Sequence, residues 1–274
     1  MSDSLAAVVR PLAAYRVIAG AWVRAALQYR ASFVALVIGQ VLTTGGDFLA
    51  IVLMFTSIDA LGGFSLPEIA LLYGLTGLGL GIADLVAGST ERLGQRIRDG
   101  SLDTMLVRPL PTLLQVAADQ FALRRLGRVT QASGVLLWAL LVTDIDWDLP
   151  KVAVLVLAVS SGAVIYVSIF VLGAAYQFLA GDAAEVQNAF TYGGVTLTQY
   201  PLTVYPVEVV RAVTFVLPLA FVNWYPALYL LDRADPFGLP AGVQLLSPVA
   251  AALLGLVAAA AWRAGLRHYR STGS

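Results

Sequence analysis

The sequence predicts an all-α, polytopic membrane protein: six transmembrane helices, an N-terminal amphipathic interfacial helix and one strongly charged cytoplasmic loop. Three observations lead there. Of the 274 residues, 59% are hydrophobic and only 12% charged, with a mean hydropathy of +0.80. A soluble chain of this size has no means of keeping so much apolar surface from water. Apolar runs of membrane-crossing length recur along the chain, and its arginines gather in three stretches that fall on one side of the predicted bilayer. Formal net charge is zero, which gives no footing for nucleic acid. The absence of cysteine excludes disulfides, thiolate metal sites and cysteine nucleophiles. Lys151 is the only lysine among many arginines and alanines, a composition that suits a high-GC bacterial source.

In chain order, residues 1–30 interleave Arg10, Arg16, Arg24 and Arg30 with Leu12, Tyr15, Ile18, Trp22 and Leu27. That pattern suits a helix lying among lipid headgroups, with guanidinium groups in water. No apolar run followed by a small-residue cleavage site marks a signal peptide. Residues 31–274 form the expected membrane domain, with spans near 31–55, 66–88, 129–143, 152–180, 209–231 and 243–261. Gly77 and Gly81 in the second span make a GxxxG spacing, with Gly74 and Gly79 nearby, an expected close-packing face. Thr112 to Thr143 suits one long helix whose first half bears Asp119, Arg124, Arg125 and Arg128. That half cannot sit in hydrocarbon, so the span starts near Val129, with the basic half either in the cytoplasm or bent at Gly127. Gly181 to Asn188 is a polar return to the arginine-rich side. Pro201 and Pro206 oppose a continuous helix before the fifth span, which contains Pro218 and Pro226. With six spans both termini share a side, and the arginines at 10–30, 92–128 and 263–270 put that side in the cytoplasm.

The most charged run is Glu91 to Pro111. Leu93 and Ile97 recur at i, i+4, as do Arg92 and Arg96 on the other face. Gly100 is placed as a helix C-cap and Ser101 as the next N-cap, with Asp103 in the following first turn. Leu102, Met105 and Leu106 then repeat at helical spacing, and Arg108-Pro109 ends the second helix. Two readings stand side by side: a solvated loop held at the membrane by arginines, or a docking surface through which a soluble partner moves the spans. No GxxxxGK[ST] phosphate loop, HExxH or GxSxG occurs, so no catalytic residue, metal site or ATP site is expected on this chain. His268, in the basic tail, reads as an interfacial residue. Asp47 and Asp84 are the ionisable residues within spans, the default markers of a translocation or polar site. Asp84 lies close enough to the cytoplasmic end to reach headgroup water. Asp47, beside Gly45 and Gly46, reads equally as a helix–helix hydrogen bond or a cavity residue.

These residues resemble a family. Asp99-Gly100-Ser101-Leu102-Asp103 through Leu106-Val107-Arg108-Pro109-Leu110 is similar to the G-x-LD-x-x-L-x-(R/K)-P signature of type-2 ABC exporter permeases. The run from Tyr200 to Pro206, with Phe215 to Phe221, and the tail WRAGLRHYRSTGS from Trp262 resemble blocks of its six-span bacterial subfamily, encoded with a second permease and an ATPase. The resemblance implies a transmembrane half of an exporter in the bacterial plasma (inner) membrane. It implies two ABC ATPase subunits that carry ATP and Mg, and a second permease, homologous or identical. Carried over by position, the coupling helix is Glu91 to Asp103, including Arg92, Leu93, Arg96, Ile97, Asp99, Gly100, Ser101 and Leu102, followed by the turn at Arg108-Pro109. Leu93, Ile97 and Leu102 are its expected apolar docking face. The segment before the last span is expected to dip into the outer leaflet around Gly238 to Leu246. Drugs, lipids and glycans are all cargo classes of the family. An ion-coupled secondary transporter would need inverted repeats and midplane carboxylates, and a membrane enzyme a cluster of His, Asp or Glu; neither pattern is found. A non-transporting scaffold is the remaining alternative.

Overall fold

The computed structural model describes residues 2–181 and 184–270, with side chains from Ala13 onward; the Arg10 side chain, Asp182 and the last four residues of the tail lie outside that description. Every regular element is helical. α1 (Ser2–Gln28) and α2 (Arg30–Met54) meet at a break on Tyr29. α1 lies against the arginine-rich end, where the Tyr15 hydroxyl donates to the Val86 carbonyl at 3.0 Å. α3 (Leu66–Ala87) begins with a reciprocal cap. The Ser65 amide donates to Glu68 Oε2 at 2.7 Å, and Pro67 sits in the first turn, where no amide hydrogen is needed.

α3 is the central helix, and its glycines explain why. A Cβ on Gly74 would lie 2.7 Å from Leu136 Cα, on Gly77 3.0 Å from the Ala132 methyl, and on Gly81 3.0 Å from Val129. All three neighbours belong to one later helix, so the expected packing face exists and its partner is now identified. Gly79 faces the opposite way, 3.2 Å from the Gly162 backbone. Backbones this close gain dispersion contacts along their whole length, the main attraction between helices in lipid.

Beyond α3, a 3₁₀ turn (Gly88–Arg92) leads into α4 (Leu93–Arg98) and α5 (Ser101–Leu106). The long helix expected over 112–143 is broken. α6 (Thr112–Ala118) stops short of Gln120, whose φ of 55° is left-handed. A 3₁₀ turn (Leu123–Arg125) then starts α7 (Leu126–Val142), so the bend falls ahead of Gly127. α8 (Leu149–Ala180) runs 32 residues back, capped by the Asp148 carboxylate accepting from the Lys151 amide at 2.7 Å.

The fifth-span region departs most from expectation. Residues 209–231 do not form one helix. α9 (Ala184–Thr198) precedes them, tied at one end by Gln187 Oε1 accepting from Gln177 at 2.9 Å. Past its other end, the Thr203 hydroxyl donates to the Gly62 carbonyl at 2.8 Å, in the loop between α2 and α3. The chain therefore passes from the arginine-rich end to the opposite end between Gln187 and Thr203. α10 (Val207–Arg211) with its π-turn extension (Ala212–Val216) then meets Leu217-Pro218, where proline has no amide to continue the ladder. α11 (Trp224–Leu230) follows after a short 3₁₀ turn, and the two arms are bent by 79°. The tip lies at mid-helix depth: Leu219 packs over Gly194 and Val222 over Gly162. The chain then returns to the end it left, where Lys151 Nζ meets the Asp232 carboxylate at 2.5 Å. The sharp bend of this region lies within 207–230, ahead of the stretch Gly238–Leu246 where a dip was expected. Residues 241–245 are a 3₁₀ turn leading into α12 (Ser247–His268), which runs beside α8.

Four helices are long and apolar enough to cross a membrane, or five if the bent pair counts as one, among the described residues. α7 has 17 residues and α9 has 15. The core gathers Tyr73, Tyr166, Phe170, Trp224 and Tyr225 between α3, α8 and the bent pair. At the tip of that pair, Asn223 Nδ2 donates to the carbonyls of Leu72 and Thr198, which pins it to α3 and α9.

The glycine face gives a direct test. Gly74→Ala places its methyl against backbone and is expected to destabilise the detergent-solubilised protein by about 1–3 kcal/mol. Gly134 has nothing within 4 Å of an added Cβ, so Gly134→Ala should be neutral or slightly stabilising through helix propensity. Thermal unfolding read as loss of the monodisperse size-exclusion peak distinguishes the two variants.

Candidate functional site

At the arginine-rich end the chain folds into an elbow made of the 3₁₀ turn, α4 and α5. The turn between the two short helices requires Gly100, whose φ of 72° is left-handed. Ser101 is the first residue of α5 and not its cap; the Asp99 carboxylate accepts from the Ser101 amide at 2.9 Å instead. Hydrogen bonds from Ser101 hold the Asp99 carboxyl below the usual range.

The apolar face of the elbow points inward. Leu93 and Leu102 are fully buried against Val171 and Ala174 of α8 and Ala258 and Trp262 of α12, with Ile97 half-buried at the rim. These were the residues expected to meet a partner, and the chain itself covers them. Polar bonds fasten the same face. The Gly94 amide donates to Gln177 Oε1 at 2.5 Å, and Gln177 in turn donates to Gln187. Arg96, also buried, pairs with Asp119 at 2.9 Å and reaches Met105 Sδ at 3.7 Å; burial lowers its pKa, opposed by Asp119. Gln115 donates to the Met105 and Leu110 carbonyls at 2.9 and 3.0 Å, which fixes the exposed Arg108-Pro109 turn. The Tyr269 hydroxyl donates to Asp103 Oδ1 at 2.9 Å, so the tail closes on the elbow. Burial and that carboxylate push the Tyr269 phenol up to about 12, which keeps it a donor at any physiological pH. What the elbow offers outward is Arg92, Gln95, Arg98, Thr104, Leu106 and Val107, the last 83% exposed.

The root of the elbow is a buried charge cluster. Asp84 does not reach headgroup water but is buried in an ion pair: its Oδ1 lies 2.9 Å from Arg125 Nε, without hydrogen-bond alignment, and Arg128 Nη1 lies 3.8 Å from its Oδ2. Arg125 extends to Glu91 Oε1 at 3.4 Å and to the Ser89 hydroxyl at 3.4 Å. Burial pushes the Glu91 carboxyl up, and Arg125 opposes the shift. Gly88 is necessary here, because a Cβ would collide with both Asp84 and the Arg125 guanidinium. Arg92 completes the link by donating to Gln120. The charged partners were visible in the sequence, but Gln177, Gln115 and Tyr269 were not singled out. A lone glutamine deep in an apolar helix is the signal that marked Gln177, since an amide in lipid needs a partner.

Asp47 lies elsewhere, exposed on α2 at the mouth of a polar cavity of about 210 Å³ between α2, α3, α7 and α9. The structure does not bring it to Asp84.

The sequence matches the profile of the ABC-2 family transporter proteins over residues 41–273. The chain belongs to the ABC-2 transporter family. No curated protein and no solved structure matches it. As an ABC-2 permease, the chain is a transmembrane component and not a catalytic subunit of its transporter. The match spans α2 through α12, so the elbow, the bent pair and the cavity all lie within the family region.

Breaking the Asp84–Arg125 pair leaves a buried carboxylate with Arg128 alone at 3.8 Å. Arg125→Met should therefore lower stability of the permease by about 3 kcal/mol, measured by SDS titration. Adding Asp84→Asn should recover more than half of that loss.

Proposed function

We propose that this ABC-2 permease is half of the membrane part of an ATP-driven exporter. Two such chains, identical or homologous, work with two ABC ATPase subunits that hold ATP and Mg. The elbow from Glu91 to Asp103 is the coupling element, and the observation that carries this is its two-sidedness. Its inner face is buried and bonded to α6, α8 and α12, while its outer face carries exposed side chains at the tip of the charged end. A part built this way moves as a unit with the helices behind it. When the ATPases close, a push on the outer face travels through Arg125 to α7, through Gln177 to α8 and along the α3 axis.

In this reading the protein crosses a bacterial inner membrane six times, through α2, α3, α7, α8, α9 with residues 199–203, and α12. The α10–α11 pair is a re-entrant hairpin that enters and leaves on the outer side. Both termini and the elbow are cytoplasmic, which the concentration of arginines at that end supports. Two of the basic residues at the opposite end are neutralised by partners, Lys151 by Asp232 and Arg233 by Glu68 at 2.6 Å. The route for cargo lies between the two permeases.

Substitution on the inward face is uninformative, because Leu102→Asp is expected to unfold the elbow. Leu106→Asp with Val107→Asp leaves the buried face intact. That double variant should keep the wild-type thermal midpoint but lose co-purification with the cognate ATPase and at least tenfold of the permease-stimulated ATPase rate (about 1.4 kcal/mol of docking energy). Retention of both properties would sink the coupling assignment.

A further inference from the structure

The cavity between α2, α3, α7 and α9 holds two opposite charges that are not paired with each other. Asp47 stands at its mouth, and Arg128 at its floor. Arg125 takes the short contact to Asp84, so Arg128 is left at 3.8 Å from that carboxylate, and its buried Nη1 has no hydrogen-bond partner. Its guanidinium lies over the Tyr192 ring, 5.0 Å from the centroid, which holds the plane in place without using its donors. That Nη1 faces Asp84, and no N–H of the Arg128 fork makes a hydrogen bond, which leaves the groups turned to the cavity to match phosphate oxygens.

Asp47 has the complementary problem. It is an exposed carboxylate within a membrane-spanning helix, where a free charge facing lipid is strongly unfavourable. The wall between the two is polar: the Tyr73 hydroxyl, which donates to the Thr44 carbonyl at 2.8 Å, with Gln131 and Gln199. α2, which forms one wall, is an apolar helix that the rest of the chain leaves largely uncovered. An apolar surface thus adjoins a polar cavity with a cation inside and an anion at the rim.

We propose that this cavity binds the head of an amphipathic molecule carrying both a phosphate and an amine, with the phosphate on Arg128, the amine on Asp47 and the acyl chains along α2. The site lies within one permease and names a substrate class for the exporter proposed above, on which it rests. An uncharged sugar would leave both charges unmatched. A purely anionic head would match only Arg128.

The test uses the purified full-length permease alone in dodecyl maltoside, so its result does not depend on an ATPase or on transport. Dihexanoyl phosphatidylethanolamine should raise the unfolding temperature saturably. Asp47→Asn, which removes no hydrogen bond or ion pair seen in the structure, should not lower the ligand-free midpoint and should weaken that lipid about tenfold. The same variant should leave the weaker response to dihexanoyl phosphatidylglycerol unchanged. Arg128→Gln should weaken both lipids. Equal stabilisation by octyl glucoside, no response to the ethanolamine lipid, or unaltered binding by Asp47→Asn would each overturn the proposal. An elbow variant that kept ATPase co-purification and stimulation, with this binding intact, would overturn the coupling reading and leave the site standing.

Discussion

The interaction on which the rest depends is the buried pair between Asp84 and Arg125 at 2.9 Å. A charge removed from water must find an opposite charge or give up its ionisation, and geometry leaves Asp84 little choice of partner. Satisfying it fixes the end of α3 against the start of α7. It also sets the direction in which the chain leaves α3, because Glu91 and Ser89 are held by the same guanidinium. Gly88 supplies the room. The elbow therefore has a rigid root before any of its own contacts form.

From that root the elbow is built with its greasy side turned inward. This is the reverse of a surface helix waiting for a partner, and it makes mechanical sense for a part that must transmit displacement. Side chains that slide on a partner's surface lose motion; side chains packed at interior density do not. Gln177 and Arg96 add direction to this packing, since each hydrogen bond has a preferred geometry that a shift of an ångström would break. The exposed residues are left to recognise the partner.

The bent pair α10–α11 illustrates a second constraint. Irregular backbone at membrane depth is tolerable only where protein satisfies its polar groups. Pro218 breaks the helix, and Asn223 donates to two carbonyls of neighbouring helices at that level. The Ser247 hydroxyl covers the Phe221 carbonyl at 2.7 Å. Without those partners the bend would leave buried backbone carbonyls unsatisfied.

The sequence by itself determined the class, the arginine-rich end, the glycine face of α3 and the position of the elbow. All of these follow from composition and period, which are local properties. It also marked Gly100 as the end of the first short helix, and the structure has it one residue past the Asp99 cap in the left-handed conformation that glycine tolerates cheaply. Tertiary structure alone decided which way Leu93 and Leu102 face, since helical periodicity separates two faces without saying what covers either. It set α9 and residues 199–203 running between the two ends and the sharp bend within 207–230, because prolines mark breaks but not the direction taken after them. And it separated Asp47 from Asp84: two carboxylates alike in hydropathy are distinguished only by their neighbours, a guanidinium in one case and an open cavity in the other.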